Sequence, residues 1–547
     1  MISAVLSHEI RENANRVLSL LNKNPLDPLC GSFDREYWAW NFKDYPNMSL
    51  QSGIYLLALL WDTKFEGNHY YRNAYLLKNI RKALLFWSRY QKKNGSFDQC
   101  YYNEQSYGTT SYTLLAVLNT LFILEKELPN VELKSIRAAV GRASDFLLRN
   151  SEQYGAIANH QAQFMYTMLA IDLYIANPAC RATHEKLAAL MVTLQSEEGW
   201  FQEYDGMDAG YLSQTIYYLA RCHEITGDKQ LLSQLHKAVQ FFTYFIHPGG
   251  SCGGVYGSRY NENFYPCGFA LLKNHVPIAA RVLGHCMRPE NPGVQLSALD
   301  SENLIRVMTN YIETIRCGPI DDITKDELLP CEKPDTDILF SEAGVHIKGT
   351  HYYYALIAFK KGGCMSVYDK SRQVPIFIDP SYVVVFANGD RITNGIQQDS
   401  DYKITGNGIV LRARFASVCI PEYTPFKGFI LRLLAFTVLR SITVNDWFKK
   451  ILVRMLITGK TTAPATLTRS ITCHEDQIEI LDEIYLQGGG PTIVEIIEDP
   501  DIRTRKMASV GYRYYAGETF SHIVRKDEQS AVIRKVIPCV TANDQTH

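Results

Sequence analysis

Two turns about a hundred residues apart constrain this chain more than any other feature. Gln91 to Phe97 (QKKNGSF) and Gln195 to Phe201 (QSEEGWF) share the pattern Q-x-x-x-G-x-F. Each lies between stretches such as LQSGIYLLALLW, SYTLLAVLNTLFILEKEL and FMYTMLAIDLYIA, whose apolar residues recur at helical spacing. Related Gly turns occur near Gly155 and from His247 to Gly257. A single helical hairpin cannot bury its apolar face alone, so hairpins joined by similar turns predict a ring of them. The expectation is an incomplete α/α toroid over residues 1–315.

From about residue 335 the pattern changes to short β-rich runs, among them YYYALIAFKK, YVVVFA, IVLRARFASVCI and QIEILDEIYL, separated by Gly, Asn, Asp and Pro. These predict an antiparallel β-sandwich domain over 316–547, and the Asp-, Glu- and Pro-richer stretch 290–335 reads as the connection. One segment departs from this pattern. Residues 425–460 carry seven Lys or Arg against Asp446 alone. Two readings stay open: a basic apolar helix in peripheral contact with an anionic membrane, or a helix or long loop packed on the sheet with its Lys and Arg reaching to water.

Lys and Arg total 56 against 57 Asp and Glu, a net charge of −1 that gives no global reason to expect nucleic acid as a partner. The thirteen cysteines include no C-x-x-C pair or zinc-type spacing and read as reduced thiols. Glu9, Arg11 and Glu12 interrupt the place where a signal peptide needs apolar residues, and no run of about 18 apolar residues occurs. A cytoplasmic location, with possible contact at the inner face of the membrane, is expected. The 34 tyrosines stand out, because a flat apolar ring with a polar tip suits a wet cleft.

Four clusters could carry chemistry. GSFDREYWAWNFKDY (Gly31 to Tyr45) offers Arg35, Glu36 and Trp38, a mixture suited to stacking on sugar rings and pairing with acidic groups; its alternative is an interface segment whose charges pair among themselves. Asn159 and His160 stand at a loop-to-helix junction. Trp200 lies in the second repeated turn and Glu203, Tyr204, Asp205, Asp208 and Tyr211 follow it, while Tyr256 lies in the next Gly turn and Arg259, Tyr260, Asn261 and Glu262 follow that one. Successive hairpin turns of a toroid share a rim, so these clusters are expected around one opening.

The chemistry suggested is proton abstraction beside a sugar carboxylate. The proton at carbon 5 of a uronic acid is weakly acidic, so a site must neutralise the carboxylate and stabilise the enolate. It must also take that proton and, for β-elimination, protonate the departing glycosidic oxygen. No cofactor is required.

The order of elements, with Asn159-His160, the DG turn before Tyr211 and the stretch GGCMSVYDKSRQVPIFIDPS (Gly362 to Ser381), resembles the heparinase II/III and alginate-lyase superfamily, which joins an α/α toroid to an antiparallel β domain. The resemblance implies a lyase of uronic-acid-containing polysaccharide, or a carbon-5 epimerase. Asn159 would neutralise the carboxylate, His160 would assist or act as base, and Tyr211 would serve as acid or base, with Tyr256 and Tyr260 as substitutes. Arg35, Glu36, Trp38, Trp200, Glu203 and Arg259 would bind an acidic polysaccharide or oligosaccharide.

Where many relatives carry His-x-His, this chain reads Cys364, Met365, Ser366, Val367 and Tyr368. Asp379 matches a relative's metal ligand, but the later histidine is missing around Asp390 to Gly395, so no metal is expected. His346 or His351 could restore a base. The missing pair favours a non-catalytic polysaccharide-binding or assembly protein as the alternative. A terpenoid-cyclase-like toroid ranks last, because Asp335 and Asp337 lie in the connection and Asp321-Asp322 stand without a supporting acid cluster.

Overall fold

The computed structural model describes residues 2–152, 157–288, 295–319, 327–418, 420, 422–459, 461–487, 491–503 and 520–539. The Gly155 turn and Asp321-Asp322 lie outside the described residues.

Thirteen helices precede the first strand among the described residues: α1 (Ile2–Leu20), α2 (Arg35–Trp40), α3 (Gly53–Asp62), α4 (Ala74–Tyr90), α5 (Tyr107–Leu124), α6 (Asn130–Arg149), α7 (Ala158–Ile175), α8 (Pro178–Leu194), α9 (Ala209–Thr226), α10 (Lys229–Thr243), α11 (Pro266–Leu272), α12 (Pro277–Cys286) and α13 (Ser301–Arg316). The inner ring runs α3, α5, α7, α9, α11, α13, and α13 returns to pack on α3. Outside it lie α1, α4, α6, α8, α10 and α12, each against its inner partner. The sequence reading leaves the toroid incomplete; here α13, which follows the Gly-turn repeats and carries no such turn itself, closes the inner ring. Inner helices are apolar nearly all round, as burial on both sides demands. The stretch Tyr107–Glu127 is long and apolar enough to cross a membrane, yet it is 78% buried inside the ring.

The repeated turn has a physical cause. Gln91 Nε2 donates to Gly95 O (3.0 Å) and to Ala139 O on α6 (2.9 Å), and Gln195 Nε2 donates to Gly199 O (3.0 Å) and to Gln234 O on α10 (2.9 Å). Each glutamine therefore ties its turn to the outer helix of the next hairpin. The glycines sit at φ +95° and +108°, and a Cβ there would lie 2.0 Å from Arg142 O and 2.5 Å from Lys237 O. Only glycine fits both the left-handed backbone and that approach. Phe97 and Phe201 are then driven into the core.

The C-terminal part holds two antiparallel sheets. β1 (Thr336–Phe340), β2 (Val345–Gly349), β3 (Tyr353–Ala358), β4 (Cys364–Asp369) and β5 (Pro375–Asp379) form the first in chain order. The second contains β6 (Val383–Phe386), β7 (Arg391–Thr393), β8 (Asp401–Thr405), β9 (Gly408–Ser417), β10 (Thr462–Cys473), β11 (Gln477–Leu486), β12 (Ile493–Ile497), β13 (Phe520–Lys526) and β14 (Ser530–Pro538), in the order β12-β6-β7-β9-β10-β11-β14-β13 with β8 beside β9.

The first sheet is covered on both faces, which is why every residue of β3 and β4 is buried. Ala355, Ile357, Met365 and Val367 meet the second sheet, whereas Tyr354, Leu356, Cys364 and Tyr368 join the toroid core. Tyr354 donates its hydroxyl hydrogen to Tyr244 O on the toroid (2.7 Å).

Between β9 and β10 the chain leaves the sandwich as a hairpin of α14 (Pro425–Phe436) and α15 (Ile442–Val453). Among the described residues its buried side packs on the toroid. Ala435 and Leu439 bury against Tyr101 of the α4–α5 turn, Phe436 stacks on Tyr102 (4.9 Å), and Asn103 Nδ2 donates to Ala435 O (3.0 Å). Arg432 pairs with Asp44 (2.8 Å) and Lys449 with Glu104 (3.6 Å).

Candidate active site at the toroid rim

Inner helices all start at the end of the ring that carries the Gly turns, so the first residues of α7 and α9 face the same opening. Asn159 is the second residue of α7 and is buried. Its backbone N–H donates to Glu203 Oε1 (2.9 Å) and its Nδ2 to Glu203 Oε2 (2.7 Å). One carboxyl thus fixes both the helix start and the amide. Burial pushes Glu203 up to about 8; the bonds from Asn159 and the charge of His160 oppose this, and Asp208 adds to it.

His160 is the exposed partner, with 41% of its side chain open to solvent, and its Nδ1 lies 3.0 Å from both oxygens of Glu152. Burial lowers its pKa, but Glu152 and then Glu203 outweigh that, so the net shift is upward.

Asp208 organises the opposite wall. Its Oδ1 caps α9 by accepting from Tyr211 N (3.2 Å), while Oδ2 accepts from Arg259 N (2.9 Å) and Asn261 N (3.4 Å). The cap therefore draws the 257–261 turn to the start of α9. Arg259 lies over the ring of Tyr204, 5.2 Å from its centroid. Burial raises the Tyr211 phenol; Arg259 counters it, and Asp208 and Glu203 reinforce it. Arg306 on α13 acts on both His160 and Tyr211, pairs with Glu302 (2.5 Å), and also lines a cavity of about 40 Å³ on the ring axis with Tyr112, Tyr265 and Glu313.

The remaining candidate residues lie elsewhere. Arg35 and Glu36 are exposed on α2, with Arg35 over Trp38 (5.4 Å), whose indole donates to Leu20 O (2.8 Å); Asp34 caps α2 and pairs with Lys43. Within this segment Asp34 and Lys43 pair with each other, and Arg35 and Glu36 stay open to solvent. Trp200 is 7% exposed and bonds Glu198, whose carboxylate accepts from Glu342 N and Ala343 N of the β1–β2 turn, so it serves the domain contact. Tyr256 is 2% exposed and hydrogen-bonded to His247 Nε2 (2.8 Å). Tyr260 lies beneath Lys361 Nζ, 3.5 Å from its ring centroid, and Lys361 itself donates to Val255 O and Gly257 O.

His346 is buried against Asp337 (2.7 Å), and His351 pairs with Glu475 at the surface. Asp379 is held by Arg469 (2.9 Å) and Lys535 (3.4 Å), so two side-chain cations already neutralise it.

Sequence reasoning missed Glu152, Arg306 and Lys361. Glu152 stands eight residues before His160 with no motif to mark it. The other two come from elements distant in sequence, and only the spacing of Glu302 and Arg306 on one helix face gave a signal.

The model of the ulvan lyase N-terminal domain family matches residues 54–265. No curated protein matches the chain. Among solved structures, chondroitin AC lyase of Streptomyces coelicolor A3 in complex with chondroitin sulphate is 11% identical, with 99% of this chain and 80% of that one covered and a TM-score of 0.58. A point mutant of the same lyase gives 9% identity, the same coverage and a TM-score of 0.52. The family match runs from α3 to the end of the turn before α11, and the fold shared over nearly the whole length with that lyase is an α/α toroid joined to an antiparallel β domain.

Proposed function

We propose that this protein acts on a uronic-acid-containing polysaccharide by abstracting the proton at carbon 5, with β-elimination or carbon-5 epimerisation as the outcome. The observation that carries the reading is the convergence of Asn159, His160, Glu203, Tyr211 and Arg259 on one rim. In this reading Asn159 presents its remaining amide hydrogen to the sugar carboxylate. Glu203, kept protonated at neutral pH by burial, holds the amide without adding a like charge. His160, oriented by Glu152, removes the carbon-5 proton in its neutral form, which its raised pKa makes a smaller fraction at neutral pH, and the Tyr211 phenol, protonated at neutral pH, gives its proton to the glycosidic oxygen. Arg259 supplies positive charge to the enolate.

A second reading, a non-catalytic polysaccharide-binding or assembly protein, is favoured by one feature. The β4 residues Cys364 to Tyr368 are all buried and bring no base to the rim. The described cysteines are free thiols, which supports a reducing compartment such as the cytoplasm as the proposed location.

Proton NMR with uronate polysaccharides in heavy water separates these readings. A vinylic signal at carbon 4 establishes elimination, and deuterium entering carbon 5 without cleavage establishes epimerisation. Ligand broadening with neither signal selects the binding protein.

A further inference from the structure

The α14–α15 hairpin has two apolar faces where a surface helix ordinarily has one. Its inner face, with Ala435, Leu439 and Phe448, is occupied by the α4–α5 turn. On the other side of α14, Phe426, Phe429, Ile430 and Leu433 recur at helical spacing and are exposed, Phe426 by 71%. Val444, Trp447 and Ile451 do the same on α15, and Trp447 is 64% exposed. Monomer surfaces rarely carry so continuous an apolar face.

The charges around it are basic apart from one acid. Arg432 and Lys449 are paired with Asp44 and Glu104 of the toroid, whereas Lys427, Arg440, Lys450 and Arg454 are exposed on the hairpin. Asp446 is the acid within the two helices. We infer that this outer face docks on an anionic lipid surface, with the aromatic rings entering the headgroup boundary and the basic side chains meeting lipid phosphates. A second copy of the chain fits less well, because a two-fold contact would set this basic face against itself.

The docking site and the rim are joined. The α4–α5 turn that carries the hairpin also carries Gln99, whose amide donates to Glu302, the partner of Arg306. The inference stands on the hairpin alone and not on the chemistry proposed for the rim.

The test is co-sedimentation of the full-length protein with vesicles of phosphatidylcholine mixed with phosphatidylglycerol and, separately, of phosphatidylcholine alone. Binding is expected to the anionic vesicles and to weaken with salt. Each basic residue near such a surface contributes about fivefold, so Lys450→Gln with Arg454→Gln lowers partitioning about 30-fold. Phe426→Ser with Trp447→Ser abolishes it, with circular dichroism and melting temperature unchanged because both side chains are exposed. Equal binding to neutral vesicles, no binding to either, or a dimer in sedimentation velocity that the Ser pair dissolves without any vesicle binding overturns the inference.

Discussion

The contact between Asn159 and Glu203 gives the sharpest prediction. Glu203 Oε2 lies 2.7 Å from the Asn159 amide nitrogen. A sugar carboxylate bound to the other amide hydrogen would sit about 2.9 Å beyond that nitrogen, which places the two carboxyl groups about 5 Å apart. With Glu203 neutral there is no repulsion. Once it ionises, two unit charges about 5 Å apart at an effective dielectric of about 20 repel by about 3 kcal/mol, a little over a hundred-fold in kcat/KM. Because burial holds Glu203 up to about 8, kcat/KM falls as pH rises through that value. Glu203→Gln keeps the volume and removes the charge, so its alkaline limb is flattened.

The same group gives a stability readout. Between pH about 4.5 and about 8 the folded chain retains a proton that the unfolded chain has released, so the stability it contributes is complete below the lower value and lost as pH approaches the upper. The difference is on the order of 5 kcal/mol. Thermal melts of the wild type against Glu203→Gln across this range, with initial rates followed by the ultraviolet absorbance of the unsaturated product, measure both effects. An alkaline limb that survives Glu203→Gln would refute the argument.

Three further substitutions probe separate parts of the molecule. Tyr211→Phe removes one hydroxyl without emptying volume, so turnover is lost while binding and melting temperature hold; retained turnover discards Tyr211 as the acid. Arg469 is fully buried between Asp379 and Asp482, at 2.7 to 2.9 Å, and Arg469→Met leaves two buried carboxylates without it, which costs about 3–5 kcal/mol in chemical denaturation; a loss below about 1 kcal/mol would show that Lys535 alone suffices. Gly95→Ala forces a Cβ to 2.0 Å from Arg142 O at φ +95°, so denaturation is expected to show a loss of at least about 2 kcal/mol.

Much of the architecture was legible because it is local. Helical spacing marked the toroid, alternation marked the sandwich, and Q-x-x-x-G-x-F is a sequence record of a glutamine and a glycine meeting the next outer helix. Closure of the ring was not legible. α13 lacks the repeated turn, and its place is set by packing against α11 and α3.

The rim shows the same division. Asn159, His160, Glu203, Tyr211 and Arg259 could be named as residue types fit for acid–base work at hairpin turns. Trp200 and Tyr256 had equal standing in the sequence, yet the first went to the domain contact and the second to His247. Arg35 and Trp38 stay together in space, the guanidinium over an indole that is itself bonded to Leu20 O.

The sequence by itself determined the two periodicities, the turn chemistry and the supply of ionisable and aromatic groups, because these depend on residues a few positions apart. Only the tertiary structure decided which groups meet, since Glu152 with His160, Arg259 with Tyr204 and Lys361 over Tyr260 depend on helix directions and sheet packing fixed by the whole chain. It also sent the basic hairpin to the toroid turn and left its second apolar face to solvent, an outcome that helical spacing alone could not choose between two apolar sides.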